Sequence, residues 1–376
     1  MTRAALSSAG PRNGALRARG RRAAKPRGVA LLARRAGEDY RAKLHKLLQY
    51  ARSHKRALVL THDNPDPDSM AAGVGLAYLL EKLAGVEATV AYGGIVGRAE
   101  NRALIRVLKL PIVPLSRVLF DDYDLICMVD TQPEQGNHSL PARVFPDVVI
   151  DHHPERPESR LAPVADVGGE MGATSTVVAD YFRASGLKVP PQIATALFYG
   201  IKADTRDLGR ETTRPDVDAY LWLFPVVDKQ ALAEIEHPRL PAEYFRLYHT
   251  AIEKAVVHGD AVVCSLGRVY SPDMVAEVAE RFLFLGDMRW SLAFGAYEGS
   301  LYFSLRTSDR RMNAGKLIRE VIEEQGGSAG GHGSMAGARI SLRGLRPHAR
   351  RKLQRDLLHR FLREFGVSHR RPRKLV

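Results

Sequence analysis

The chain of 376 residues is poor in several things, and each scarcity narrows what it can be. It has only two cysteines, Cys127 and Cys264, both inside apolar runs. They are too few and too distant for a disulfide framework or a zinc knuckle, and a cytoplasmic location is expected. No apolar run reaches the roughly 18 to 20 residues that a bilayer-crossing helix requires, so no membrane partner is expected. Acids are missing from residues 1–37, which hold ten Lys and Arg. A transit peptide and a disordered basic tail both fit that composition, and the tail is the expectation adopted. Residues 343–376 hold twelve more Lys and Arg against Asp356 and Glu364. Between these ends stand 34 basic and 40 acidic residues, so the net charge of +14 belongs to the extremities. A basic groove along the body is unsupported, whereas basic extensions that touch a polyanion remain open.

What is present reads as an α/β protein. The hydrophobic fraction of 45% supports a sizeable core, and the length suggests two domains plus tails. From Leu58 to Asp228 short apolar runs alternate with helical stretches. A-L-V-L ends at Leu60, L-I-C-M-V-D at Asp130 and V-V-I-D at Asp151. Runs that are apolar throughout, without alternation, fit central strands of a parallel sheet with helices on both faces. A helix is expected from Ser69, as its cap, to Gly85, and others over 99–108, 173–185 and 191–204. After a linker with a helix at 229–258, residues 259–345 read as a smaller α/β domain. It has a hairpin turning at Glu298-Gly299, a helix over 313–325, a glycine-dense loop over 326–337 and a last strand over 338–342. Residues 346–376 form a basic helix and tail. Their apolar positions, Leu353, Leu357, Phe361 and others, recur at helical spacing, which suits a helix docking one stripe on the body.

Polar residues crowd the carboxyl ends of the predicted strands, where parallel sheets collect ligands. His62, Asp63, Asp66 and Asp68 follow the first strand, Asp130 ends the next cluster, and Asp151, His152 and His153 the third. Asp204 closes a helix in G-I-K-A-D-T. Any one of these has an ordinary explanation as a turn, cap or hydrogen-bonded residue. Together they imply cations, because packed carboxylates repel one another without them. Imidazole and carboxylate without thiolate suit Mn²⁺, with Mg²⁺, Zn²⁺ or Fe²⁺ less favoured.

H-D-N-P-D-P-D, V-D-T, D-H-H-P and G-I-K-A-D-T, in that order, resemble the four motifs of the DHH phosphoesterase superfamily. G-G-H-G-S-M-A-G, Gly330 to Gly337, resembles the signature of the DHH-associated domain. The resemblance covers residues 45–342 and implies a DHH catalytic domain over 38–228 and a DHH-associated substrate domain over 259–345. It implies two Mn²⁺ per site, with Mg²⁺ as a substitute: His62, Asp66 and Asp130 hold one, and Asp68, Asp130, His152 and Asp204 hold the other. It implies that His153 faces the substrate phosphate as a catalytic group, beside the shared Asp130. Asp63 and Asp151 are expected to orient imidazoles, and Arg306, Gly330, Gly331 and His332 to bind substrate. Met335 and Ala329 depart from the family pattern and leave the pocket's shape open.

The compact plan is most similar to nanoRNase/pAp phosphatases, which act on very short RNAs and on 3'-phosphoadenosine 5'-phosphate. The expected partner is therefore a short RNA or nucleotide, with a homodimer suggested by many relatives. Two other functions stay open at this point: a soluble phosphodiesterase for cyclic or linear dinucleotides, and a non-catalytic nucleic-acid binder using the arginine-rich ends.

Overall fold

The computed structural model describes residues 27–376 except Glu170, with side chains from Asp39 onward, that of His332 excepted. Residues 1–26 of the expected tail lie outside the described residues. The first helix, α1, spans Arg27–Ala51. The first domain then runs β1 (Arg56–Leu60), α2 (Pro67–Ala84), β2 (Glu87–Tyr92), α3 (Ala99–Leu108), β3 (Ile112–Pro114), β4 (Leu125–Val129), β5 (Val148–Asp151) and β6 (Val164–Val167). It closes with α4 (Thr174–Ser185), α5 (Pro191–Asp204) and α6 (Arg214–Leu223). Every residue of β4 and β5 is buried, as expected of strands covered on both faces.

All pairings in this sheet are parallel, in the order β3-β2-β1-β4-β5-β6. The winding direction reverses between β1 and β4, and such a switch opens a crevice at the strands' carboxyl ends. Leu60 pairs with Met128 and Val129 with Ile150, so the ends of β1, β4 and β5 lie level. The polar clusters that follow them are thereby gathered at one place.

Helix α2 is buried along most of its length. Its small residues make this feasible: a Cβ on Gly73 would stand 2.9 Å from Val90, and one on Gly75 only 2.7 Å from Val178. The helix starts three residues earlier than the sequence suggests. Asp66 is its N-cap and accepts from the Ser69 backbone at 3.0 Å, while the Ser69 hydroxyl accepts from the Asp66 N–H. Ser69 is the far member of a capping box and not the cap, because Pro67 needs no amide partner at the first helical position.

Helices α7 (Lys229–Glu236) and α8 (Ala242–Lys254) connect to the second domain. It contains β7 (Val256–His258), β8 (Ala261–Arg268), α9 (Asp273–Phe282), β9 (Trp290–Tyr297), β10 (Ser300–Thr307), α10 (Ala314–Ile322), β11 (Ser328–His332), β12 (Met335–Ser341), α11 (Pro347–Glu364) and β13 (Arg373–Lys374). Its sheet runs β11-β12-β10-β9-β8-β7-β13, with only β8 and β9 parallel. The β9–β10 turn falls at Glu298 and Gly299, both at positive φ, as a two-residue hairpin of this twist requires.

The segment expected as a glycine-dense loop is instead a hairpin of β11 and β12. Glycines hide the period-two signal of a strand because they carry no side chain to alternate. Gly331 is required here: its φ is 137°, and a Cβ would come within 2.5 Å of Ala336 and of the Met335 carbonyl. Helix α11 docks its apolar stripe as the sequence suggests, burying Leu357, Phe361 and Leu362, with Phe365 just beyond it stacked on Trp290 at 4.8 Å. Among the described residues no helix is long and apolar enough to cross a membrane.

Candidate metal centre

Eight residues singled out in the sequence meet at the switch point. His62 Nε2 lies 3.6 Å from Asp66 Oδ1 and 3.5 Å from Asp130 Oδ2. His152 Nε2 lies 3.7 Å from Asp130 Oδ1 and 3.3 Å from Asp204 Oδ2. Asp68 joins His152 and Asp204, with donor atoms of all three within 4.8 Å of one another. Asp151 and His153 complete the set, joined by a 2.9 Å hydrogen bond from His153 Nδ1.

The backbone around the site is built to hold these groups. Asp130 sits at φ 58°, a left-handed turn off the tip of β4 that costs a non-glycine residue about 1–2 kcal/mol. Thr174 donates its hydroxyl to Asp130 at 2.9 Å. The first amides of α4, Thr174 and Ser175, donate to the two oxygens of Asp68 at 2.7 and 2.8 Å. Helix α5 reaches the cluster because Gly200 lacks a side chain: a Cβ there would meet Ser175 Oγ at 2.3 Å and Asp68 at 3.2 Å. Gln132 grips the buried Asp151 at 2.8 Å.

Hydrogen bonds on the other side of each ring decide which atoms face the cluster. His62 Nδ1 donates to the Asp63 carbonyl at 3.0 Å, and His152 Nδ1 to the Met171 carbonyl at 3.2 Å, since a carbonyl only accepts. In the neutral ring Nε2 then carries the lone pair. His152 Nε2 is buried and has no hydrogen-bond partner. A lone pair facing carboxylate oxygens is unfavourable until a cation or proton lies between, so these residues fit a metal.

Electrostatics agree. Burial, then Asp130, Asp204 and Asp66, push Asp68 well above the usual carboxylate range. Burial, then Asp66, raises Asp204 to about 7. Burial alone would lower His153, but the Asp151 hydrogen bond and the Asp130 charge outweigh it and raise the ring to about 9. Burial likewise opposes the charged form of His62, yet Asp130 and Asp66 carry it well above its ordinary value.

Beside the cluster lies a cavity of about 650 Å³ between the two domains. The first domain lends Arg98, Lys202, Arg206 and Arg210, and the second Arg306 and Met335. Arg306 and Met335 are register partners on β10 and β12, and burial lowers Arg306 to about 10. Glu280 of α9 ties the domains together, 3.2 Å from Arg98 and 3.5 Å from Arg206. Arg206, Asp207 and Leu208 occupy three successive positive-φ positions, a strained exit from α5 that turns Arg206 and Arg210 toward the cavity.

Three expected residues behave differently. The Asp63 carboxylate turns to Ser139 at 2.8 Å, and it is the Asp63 carbonyl that orients His62. Gly330 and Gly331 pair with Gly337 and Ala336 on the edge hairpin and do not line the cavity. The side chain of His332 lies outside the described ones. The sequence reading includes Arg306 but not Gln132, Thr174, Arg98, Arg206 or Arg210; the run R-D-L-G-R after Thr205 is the available signal for Arg206 and Arg210.

A model of the DHH family N-terminal domain matches residues 56–201, and a DHHA1 domain model matches residues 258–361. The chain carries a DHH domain followed by a DHHA1 domain. The matched DHH segment carries every residue of the candidate cluster except Asp204, and the DHHA1 segment brings Arg306 to the cavity beside Met335. An uncharacterized protein of Methanocaldococcus jannaschii is 31% identical over 299 residues, 78% of this chain and 60% of its own length. A probable manganese-dependent inorganic pyrophosphatase of Lactiplantibacillus plantarum is 26% identical over 158 residues, 42% of this chain. The chain thus spans three fifths of the first relative and half of the second. A solved exopolyphosphatase-related protein from Bacteroides fragilis shares the fold, with TM-score 0.67 and 15% identity over 86% of this chain and 98% of that one.

Proposed function

We propose that the chain is a divalent-metal phosphoesterase acting on short oligoribonucleotides, 3'-phosphoadenosine 5'-phosphate, or both. The carrying observation is that His62 Nε2 and His152 Nε2 each face carboxylate oxygens at 3.5 and 3.3 Å, beside a cavity lined by five basic side chains. His62, Asp66 and Asp130 would hold one cation, and Asp68, Asp130, His152 and Asp204 the second, Mn²⁺ or Mg²⁺. Such ions supply charge neutralisation at a phosphoryl group and activation of water.

The protein's own groups do the rest. Arg306, Arg98 and Arg206 meet the substrate's phosphates, whose charge offsets the mutual repulsion of these arginines. Water oxygen bonds to phosphorus as the bond to the leaving oxygen breaks, and that oxygen needs a proton. We assign its delivery to His153. Asp151 engages Nδ1, so delivery falls to Nε2. A basic lining of this size suits a short substrate with an anchored terminal phosphate.

The test is a panel with added Mn²⁺: 3'-phosphoadenosine 5'-phosphate, di- to pentaribonucleotides, longer single strands, cyclic dinucleotides and pyrophosphate. Turnover concentrated on the first two supports the proposal. Preference for cyclic dinucleotides or pyrophosphate, or no turnover at all, overturns it.

A further inference from the structure

A second cavity, of about 180 Å³, opens between α3, α8 and α9. Arg98, Glu100 and Glu280 line both this cavity and the larger one, so the two adjoin. Its volume falls below the roughly 300–1,000 Å³ that drug-sized ligands occupy, which suits a single ring system and not a whole nucleotide. Aromatic side chains form much of its wall. Tyr244 and Tyr248 stand with ring centroids 5.3 Å apart, and Phe284 is 74% exposed.

Glu277 also lines it and is only 8% exposed. Among the described residues its carboxylate has neither a hydrogen bond nor an ion pair; the nearby Arg98 is paired with Glu280. Burial outweighs the attraction of Arg98 and holds the Glu277 carboxyl at about 7. An acid this buried is costlier than an apolar residue at the same place. Its oxygens open on the cavity, where an entering ligand would replace water as their partner. A carboxylate accepts two adjacent N–H groups at once. Guanine presents such a pair, N1–H and the N2 amine, whereas adenine, cytosine and uracil offer no two adjacent donors along the same edge.

We propose that this cavity seats the guanine base of a short nucleotide whose phosphates occupy the main cavity. Glu277 accepts from N1–H and N2–H, and Phe284 lies against the ring face. The inference rests on the reading of the chain as a hydrolase of short oligoribonucleotides, and adds the base preference which that reading leaves open.

Two measurements on the full chain test it: calorimetric binding of GMP, AMP and UMP, and Mn²⁺-dependent hydrolysis of pGpG, pApA and pUpU. Each is made on wild type, Glu277→Gln and Phe284→Ala. Wild type should bind GMP about ten- to hundredfold more tightly than AMP or UMP, and Glu277→Gln should remove that margin while changing AMP and UMP by about twofold at most. Phe284→Ala, at a position 74% exposed, should weaken all three nucleotides together while leaving the thermal melt unchanged. Equal binding of the three by wild type, or a margin that survives in Glu277→Gln, overturns the guanine site. Hydrolysis of all three dinucleotides with equal kcat/KM and no GMP margin leaves the hydrolase standing without the base site. A GMP margin lost in Glu277→Gln, with no dinucleotide turned over, leaves the base site standing and removes the hydrolase.

Discussion

His152 Nε2 stands 3.3 Å from Asp204 Oδ2 without hydrogen-bonding to it. A proton or a metal ion can relieve that contact, so the two compete. Asp204, raised by burial and then by Asp66 to about 7, binds its proton more tightly folded than unfolded. The stability it contributes is complete below its unfolded value near 4 and is lost as pH climbs through about 7. Asp68, also raised, has the same sign. Chelator-treated protein should therefore melt at a lower temperature at pH 7.5 than at pH 5, and added Mn²⁺ should raise Tm more at pH 7.5. A larger Mn²⁺ effect at pH 5, read by scanning fluorimetry, contradicts this.

Asp130 combines a shared carboxylate with φ 58°. Asparagine tolerates that conformation and alanine does not, so Asp130→Asn should melt within a few degrees of wild type while Asp130→Ala loses about 1 kcal/mol more. Both should lose several kcal/mol of transition-state stabilisation, about a thousandfold in kcat. Retained turnover in either would exclude Asp130 from the metal site.

Gly200 has no room for a side chain beside Ser175 and Asp68. Gly200→Ala should force α5 away from the cluster, at about 1–3 kcal/mol of stability. Mn²⁺ affinity should fall as Asp204 is displaced. Calorimetry of Mn²⁺ binding alongside a denaturant melt checks both, and an unchanged affinity would mean that α5 does not position the ligand.

Most of this architecture was legible because its signals are local. Unbroken apolar runs marked β4 and β5, and the acids and histidines that follow them marked the site. The capping box of α2 is half visible in sequence: Ser69 signals a cap, whereas Asp66 reads as a ligand, although it both caps the helix and faces His62. The β11–β12 hairpin was hidden because glycine has no face to alternate. Thr174, Gln132 and Arg98 were invisible for another reason: their roles exist only through contacts made across the fold.

Arg306 lies on β10, far along the chain from the cluster, and its register partner Met335 lines the same cavity. Arg306→Ala should lower kcat/KM for a 5'-phosphorylated dinucleotide by about 10²-fold, with Arg306→Lys recovering only part, because a point charge cannot replace the planar fork. Folding should be tested in parallel by near-UV circular dichroism. Unaltered kcat/KM would remove the DHHA1 domain from phosphate binding.

Anomalous diffraction at the manganese edge, from crystals grown with Mn²⁺, addresses the two-cation centre directly. Two peaks are expected, one among His62, Asp66 and Asp130 and the other among Asp68, Asp130, His152 and Asp204. A map with no peak at these side chains, under conditions where Mn²⁺ supports turnover, would contradict the centre and the chemistry derived from it.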